Sequence, residues 1–104
     1  MQGYIERKLE EALGQTEHWL KMAKNRLATS EFVDAMEYAE RSKAWANFAY
    51  GIFIGVQEYD FEGLDEEKVR RISFTAQNLQ EEAHEIWKSA INAYYDWLES
   101  LEIK

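Results

Sequence analysis

An all-α fold is expected, an up-down-up three-helix bundle with a long third helix, and three features of the chain point to it. Apolar residues recur at spacings of three and four along most of its length. No proline occurs among the 104 residues, so nothing breaks a long helix from within. Only two short stretches interrupt the pattern, Thr29-Ser30 and the acidic run from Gln57 to Asp65. A chain of this length makes one domain, residues 1–104, and buries a core without disulfides or a structural metal.

The first helix is expected over about 3–28, where Ile5, Leu9, Ala12, Thr16, Trp19, Ala23 and Leu27 form a stripe widened by Leu13 and Leu20. Gly14 inside it costs about 1 kcal/mol relative to alanine, which suggests a place where another helix passes close. Ser30 is a natural N-cap for the second helix, with Glu31 in its first turn. So short a connection sets the first two helices antiparallel.

The second helix, about 30–56, is the one around which the others are arranged. Ala35, Ala39, Ser42, Ala46 and Ala49 alternate spacings of four and three, a line of small side chains that lets neighbouring helices approach. Tyr38, Trp45, Phe48 and Ile52 wall one flank, and Phe32, Met36, Tyr50 and Phe53 the other. Glu37, Glu40, Lys43 and Asn47 make a solvated face, with Glu37–Arg41 and Glu40–Lys43 as oppositely charged neighbours.

After the loop around Gly63, Asp65 caps a third helix expected over about 65–101, with Glu66 and Glu67 at the positive end of its dipole. Val69, Ile72, Ala76, Leu79, Ala83, Ile86, Ala90, Ala93, Trp97 and Leu101 carry its stripe. It runs to about 54 Å at 1.5 Å per residue, half as long again as its partners, and is expected to outrun the second helix near Lys88. The overhang is too apolar to stand in water. Three coverings suggest themselves: a break near Ser73 to Thr75 with fold-back, the loop around Tyr59 and Phe61, or a second copy of the chain. The second copy is favoured, because two-fold homodimers are the commonest oligomers and two overhangs complete a coiled-coil-like bundle for both. Trp87, Ile91, Tyr94, Tyr95, Trp97 and Leu98 are the expected interface, with a homodimer or a helical protein as partner.

Twenty acidic against 12 basic residues give a net charge of −8, which opposes phosphate backbones and anionic headgroups. Lys68, Arg70 and Arg71, the densest basic cluster, follow Asp65, Glu66 and Glu67 and lack interleaved aromatics. No nucleic-acid or membrane partner is expected. The absence of cysteine removes disulfides, thiolate metal sites and cysteine nucleophiles, and accords with a reducing compartment. The N-terminus is charged from Glu6, and the longest uncharged run, Ala44 to Gln57, falls short of the roughly 20 apolar residues of a span. A soluble, cytoplasmic protein is expected.

Few residues suggest chemistry. Glu81-x-x-His84 has the spacing of carboxylate-bridged di-iron bundles, but a rotation of about 100° per residue turns Glu81 about 160° from the stripe centre at Ala83. Glu81 and His84 therefore read as an exposed glutamate and a rim histidine. Glu37-x-x-Glu40 with Glu62-x-x-Asp65 resembles the magnesium signature of all-α nucleotide pyrophosphohydrolases, since magnesium wants converging carboxylate oxygens. That is the alternative function, with magnesium as cofactor. Against it, Glu37 and Glu40 lie on the polar face, and Glu62 to Asp65 straddles Gly63. His18 has only Glu17 and Trp19 beside it, and there is no G-x-S-x-G elbow or glycine-rich phosphate loop.

The segment from Trp19 to Ile54 resembles an archaeal family of small all-helical proteins, the domain of unknown function 357 type. Its pattern is roughly Y-x-x-D-A-x-x-F-L-x-x-G-D-Y-V-x-A followed by Y-A-x-G-W-L-D-A-G. Trp19, Ala23, Leu27, the turn Ser30-Glu31-Phe32-Val33, Ala35 and Trp45 fall on it without a gap. Ala44, Asn47 and Ala49 depart from it, standing where the family has glycine, aspartate and glycine. The resemblance covers about a third of the chain and implies a helical bundle and an archaeal or archaeal-virus source. It brings no catalytic residues. The expected role is a non-catalytic interaction or scaffolding module that self-associates, because the unusual residues lie in seams and aromatic surfaces.

Overall fold

The small-residue line of the second helix becomes the axis of the molecule. The computed structural model describes residues 3–58 and 63–102, which form α1 (Tyr4–Ala28), α2 (Phe32–Glu58) and α3 (Glu66–Glu102). Each packs on the other two, α2 most extensively, in an up-down-up bundle 65 Å long and only 20 × 15 Å across. Ala35, Ala39, Ser42, Ala46 and Ala49 are all fully buried. Against them lie Leu9, Ala12, Thr16, Leu20 and Ala23 of α1, and Val69, Ile72, Ser73, Ala76, Ala83 and Ala90 of α3. Alanine and serine fill most of these positions, which is why the bundle is slender. Larger side chains gather at one end, where Leu9, Phe53, Val69 and Ile72 form the bulk of the core.

Polar groups inside this seam are mostly bonded. Ser42 Oγ donates to the Thr16 carbonyl at 2.8 Å, tying α2 to α1, while Thr16 Oγ1 donates to the Ala12 carbonyl at 2.8 Å. A satisfied buried hydroxyl of this kind contributes about 1 kcal/mol.

The α1–α2 turn departs from expectation. Ser30 is not the N-cap of α2 but the residue that ends α1, with φ of 61° in the left-handed region. The Glu31 amide donates to the Arg26 carbonyl at 2.9 Å and the Ser30 amide to the Leu27 carbonyl at 3.1 Å, the paired bonds of a Schellman motif. Helix α2 consequently starts at Phe32, two residues later than expected, and its first backbone bond runs from the Ala35 amide to the Glu31 carbonyl at 2.9 Å. The Glu31 carboxylate turns back to accept from Arg26 at 3.1 Å and from the Thr29 hydroxyl at 2.5 Å.

At the other end Asp65 does cap α3, its Oδ1 accepting from the Lys68 amide at 3.1 Å. A second carboxylate joins it unexpectedly. Glu6, only 8 % exposed, lies on the buried face of α1 and accepts from the Asp65 amide at 3.3 Å. Glu6 thus brings negative charge to the positive end of α3 from a different helix.

Helix α3 is continuous through Ser73 to Thr75, so the break-and-fold-back covering is not seen. Tyr59 and Phe61, the other candidate covering, lie outside the described residues. Gly14 is corrected as well: nothing lies within 4 Å of where its Cβ would stand, so no helix passes close there.

Candidate interaction surface

The register between α2 and α3 decides which residues of α3 stand clear. Gln80 Nε2 donates to Asn47 Oδ1 at 2.6 Å, Lys43 Nζ lies 3.3 Å from His84 Nδ1, and Phe53 meets Phe74 edge-on at 5.8 Å. These pairs set Val33, in the first turn of α2, opposite Tyr94. The overhang therefore begins near Tyr95 and not near Lys88, almost two turns later than expected. Part of the supposed solvated face of α2 is also engaged: Asn47 bonds to α3, and Lys43 reaches over the Trp87 ring at 5.3 Å while pairing with Glu40 at 3.0 Å.

Of the six expected interface residues, Trp87 is satisfied within the monomer. It stacks on His84 at 5.9 Å with rings 10° apart and receives the Lys43 ammonium. Ile91, Tyr94 and Leu98 are half-buried, and Tyr95 and Trp97 are exposed. Tyr94 stacks on Trp97 at 6.0 Å with rings 22° apart.

The rotation of α3 makes this exposure informative. At about 100° per residue, Tyr94, Trp97 and Leu101 fall on the same stripe as Val69, Ala76, Ala83 and Ala90. Those four are at most 1 % exposed, whereas Trp97 and Leu101 are each 49 % exposed. The core stripe continues past its partners.

Beside it, Phe32, Val33, Asp34, Tyr94 and Trp97 with Ser30 and Glu31 line an open groove of about 580 Å³. Val33, 55 % exposed, and Leu101 extend the expected set. Leu101 was visible on the stripe; Val33 lies off the small-residue line of α2 and carried no signal.

A second aromatic surface spans α1 and α2. Trp19 packs on Tyr38 at 5.4 Å, and the Arg41 guanidinium lies 4.8 Å over Trp19 while bonding Glu37 at 2.7 Å. This is a closed set of local contacts. His18 sits edge-on to Trp19 at 4.8 Å and is exposed at the surface.

The acidic residues of the alternative reading do not converge. Glu37 and Glu40 are exposed on α2 and paired with Arg41 and Lys43. Asp65 caps α3 beyond the far end of α2, so some 18 helical residues, about 27 Å, separate it from Glu40. Glu62 lies outside the described residues. Among the described residues no group of three or more histidine or acidic side chains is placed to hold a metal ion. Glu81 and His84 are both exposed. No described helix is long and apolar enough to cross a membrane.

The chain defines a small three-helix bundle with an unpartnered apolar end. Compared with family models, curated proteins and solved structures, it matches none.

Proposed function

We propose that the protein is a non-catalytic interaction or scaffolding module that self-associates through the last turns of α3. One observation carries the reading: a stripe buried along about six turns of α3, from Val69 to Ala90, runs on into solvent at Trp97 and Leu101. Leaving such surface wet forgoes about 25 cal/mol per Å², and a helical partner laid on that stripe recovers it. The dispersal of Glu37, Glu40 and Asp65 supports an interaction role over the magnesium-dependent one. A cytoplasmic location belongs to the same reading, supported by the absence of cysteine. The resemblance to the archaeal family, over Trp19 to Ile54, adds a helical hairpin and no activity.

Sedimentation equilibrium of the wild type and of Trp97→Glu tests this. Trp97 stands half in water and stacks on Tyr94 of its own helix, so the variant keeps its helical circular dichroism and sediments as monomer. A variant that associates as strongly as the wild type removes this surface from the interface.

A further inference from the structure

The apolar end of the bundle is acidic throughout. Residues 29–36, where α2 opens, and 89–102, where α3 closes, hold Glu31, Asp34, Asp96, Glu99 and Glu102 and not one lysine or arginine. Arg26 of α1 reaches this end, but the Glu31 carboxylate takes it up through bonds of 3.2 and 3.1 Å. Asp34, Asp96, Glu99 and Glu102 form no ion pair with any other described residue, and Lys104 lies outside the described residues. The last turn of α3 has no basic side chain among the described residues, so the negative end of its dipole adds to the same field.

Charge and apolar surface lie side by side here. Val33, Tyr94 and Trp97 line the groove of about 580 Å³ together with Glu31 and Asp34. Trp97 and Leu101, each 49 % exposed, continue the core stripe beyond it. At about 100° per residue Glu102 lies about 110° from the centre of that stripe, on its flank, and Asp96 and Glu99 lie behind it. The result is an apolar strip edged by carboxylates that lack a counter-ion.

A second copy, the partner proposed above, brings the same five carboxylates and must hold on through apolar contact alone. An anionic membrane or a nucleic acid brings phosphates and meets like charge. A helix with apolar residues at i, i+3, i+4 and i+7 fills the strip equally well, and lysines or arginines beside that face lay their methylene stems along Trp97 and Val33 while their heads reach Asp34 and Glu102. We infer that the groove and the end of α3 form a docking site for a basic amphipathic helix of a different protein. The inference goes beyond self-association and does not rest on it; a basic helix displaces the second copy wherever the two compete. The exposed apolar area, on the order of 400 Å², is that of a peptide site, and the complex is transient, with a Kd of roughly 10–100 μM.

The probe is a synthetic leucine–lysine amphipathic helix of about five turns, or about 18 residues, labelled with fluorescein and read by anisotropy at low peptide concentration. A leucine–glutamate helix of the same pattern is its opposite. The leucine–lysine helix binds and the leucine–glutamate helix does not. Asp34→Asn weakens binding about threefold, the effect of one exposed ion pair, and Trp97→Gln, which changes no charge, weakens it about tenfold or more. Leu101→Gln serves in its place if Trp97→Gln loses its helical circular dichroism. Glu17→Gln, which removes the same unit of charge from the exposed side of α1, leaves binding unchanged. Raising the salt weakens the complex, because its charges are exposed. Equal binding of the two peptides, an equal loss in Glu17→Gln and Asp34→Asn, or full binding by the glutamine variants at positions 97 and 101 overturns the site. The mass of the wild-type chain without peptide reports self-association separately: a monomer that binds the leucine–lysine helix upholds this site and overturns self-association, and a dimer that ignores the helix does the reverse.

Discussion

Replacing Ala46 by leucine tests the packing that makes the bundle slender. Ala46 is fully buried on the small-residue line, with Leu9, Ala12, Ala49, Ile72 and Ala76 of all three helices in the same cluster. Leucine adds three carbons, which would stabilise by about 2.4 kcal/mol if space for them existed, at about 0.8 kcal/mol for each buried methylene-sized group. Helix propensity is nearly unchanged. The neighbours are themselves enclosed, so the added carbons must push helices apart, and overpacking of this kind costs about 1–3 kcal/mol. We expect a net destabilisation of about 2 kcal/mol, a fall in melting temperature of roughly 8–16 °C for a domain of this size. Urea denaturation followed at 222 nm measures it, with Ala44→Leu on the exposed side of α2 as control, expected within about 0.5 kcal/mol of wild type. A stability of Ala46→Leu equal to or above wild type at unchanged urea slope refutes the close approach of the three helices.

Other expectations concern the ends and the surface of the helices. Ser30→Gly raises stability by about 0.5–1 kcal/mol, because glycine adopts the left-handed conformation of this position without steric cost; a loss would show that the serine hydroxyl matters more than the backbone. Gly14→Ala gains about 1 kcal/mol in the same denaturation assay, since its methyl group meets nothing within 4 Å, and a loss there would reveal a contact at that face. The Glu31 carboxyl is held below its ordinary range by the Thr29 hydroxyl and then by Arg26. A depressed carboxyl stabilises the fold above the ordinary carboxylate pKa and loses that effect as pH falls through the folded-state value. Glu31→Gln is therefore less stable than wild type at neutral pH, and their urea midpoints converge below about pH 4; a gap that persists in acid would assign the effect to shape and not to charge.

Helix existence and the buried line of α2 were legible because periodicity is a local property: each of Ala35, Ala39, Ser42, Ala46 and Ala49 lies where a rotation of 100° per residue puts it. What needed the structure was set by distant residues. Serine favours N-caps, and only the bonds from Glu31 and Ser30 back to Arg26 and Leu27 turn Ser30 into the terminator of α1. Glu6 reads as a surface charge until the start of α3 arrives beside it, 59 residues along the chain. The point where α3 leaves its partners depends on which residues of α2 and α3 are opposed, and Asn47–Gln80 and Lys43–His84 fix that without leaving a periodic trace. Expecting the overhang at Lys88 placed Trp87 in the interface, while its ring is already covered by His84 and Lys43.

Self-association through the end of α3 is tested most directly by the solution mass of the wild-type chain, measured by light scattering over a wide range of concentrations. Closure of the seam by a second copy predicts a mass that climbs from 12.3 kDa toward twice that value and falls again on dilution. A mass fixed at 12.3 kDa up to millimolar protein contradicts it.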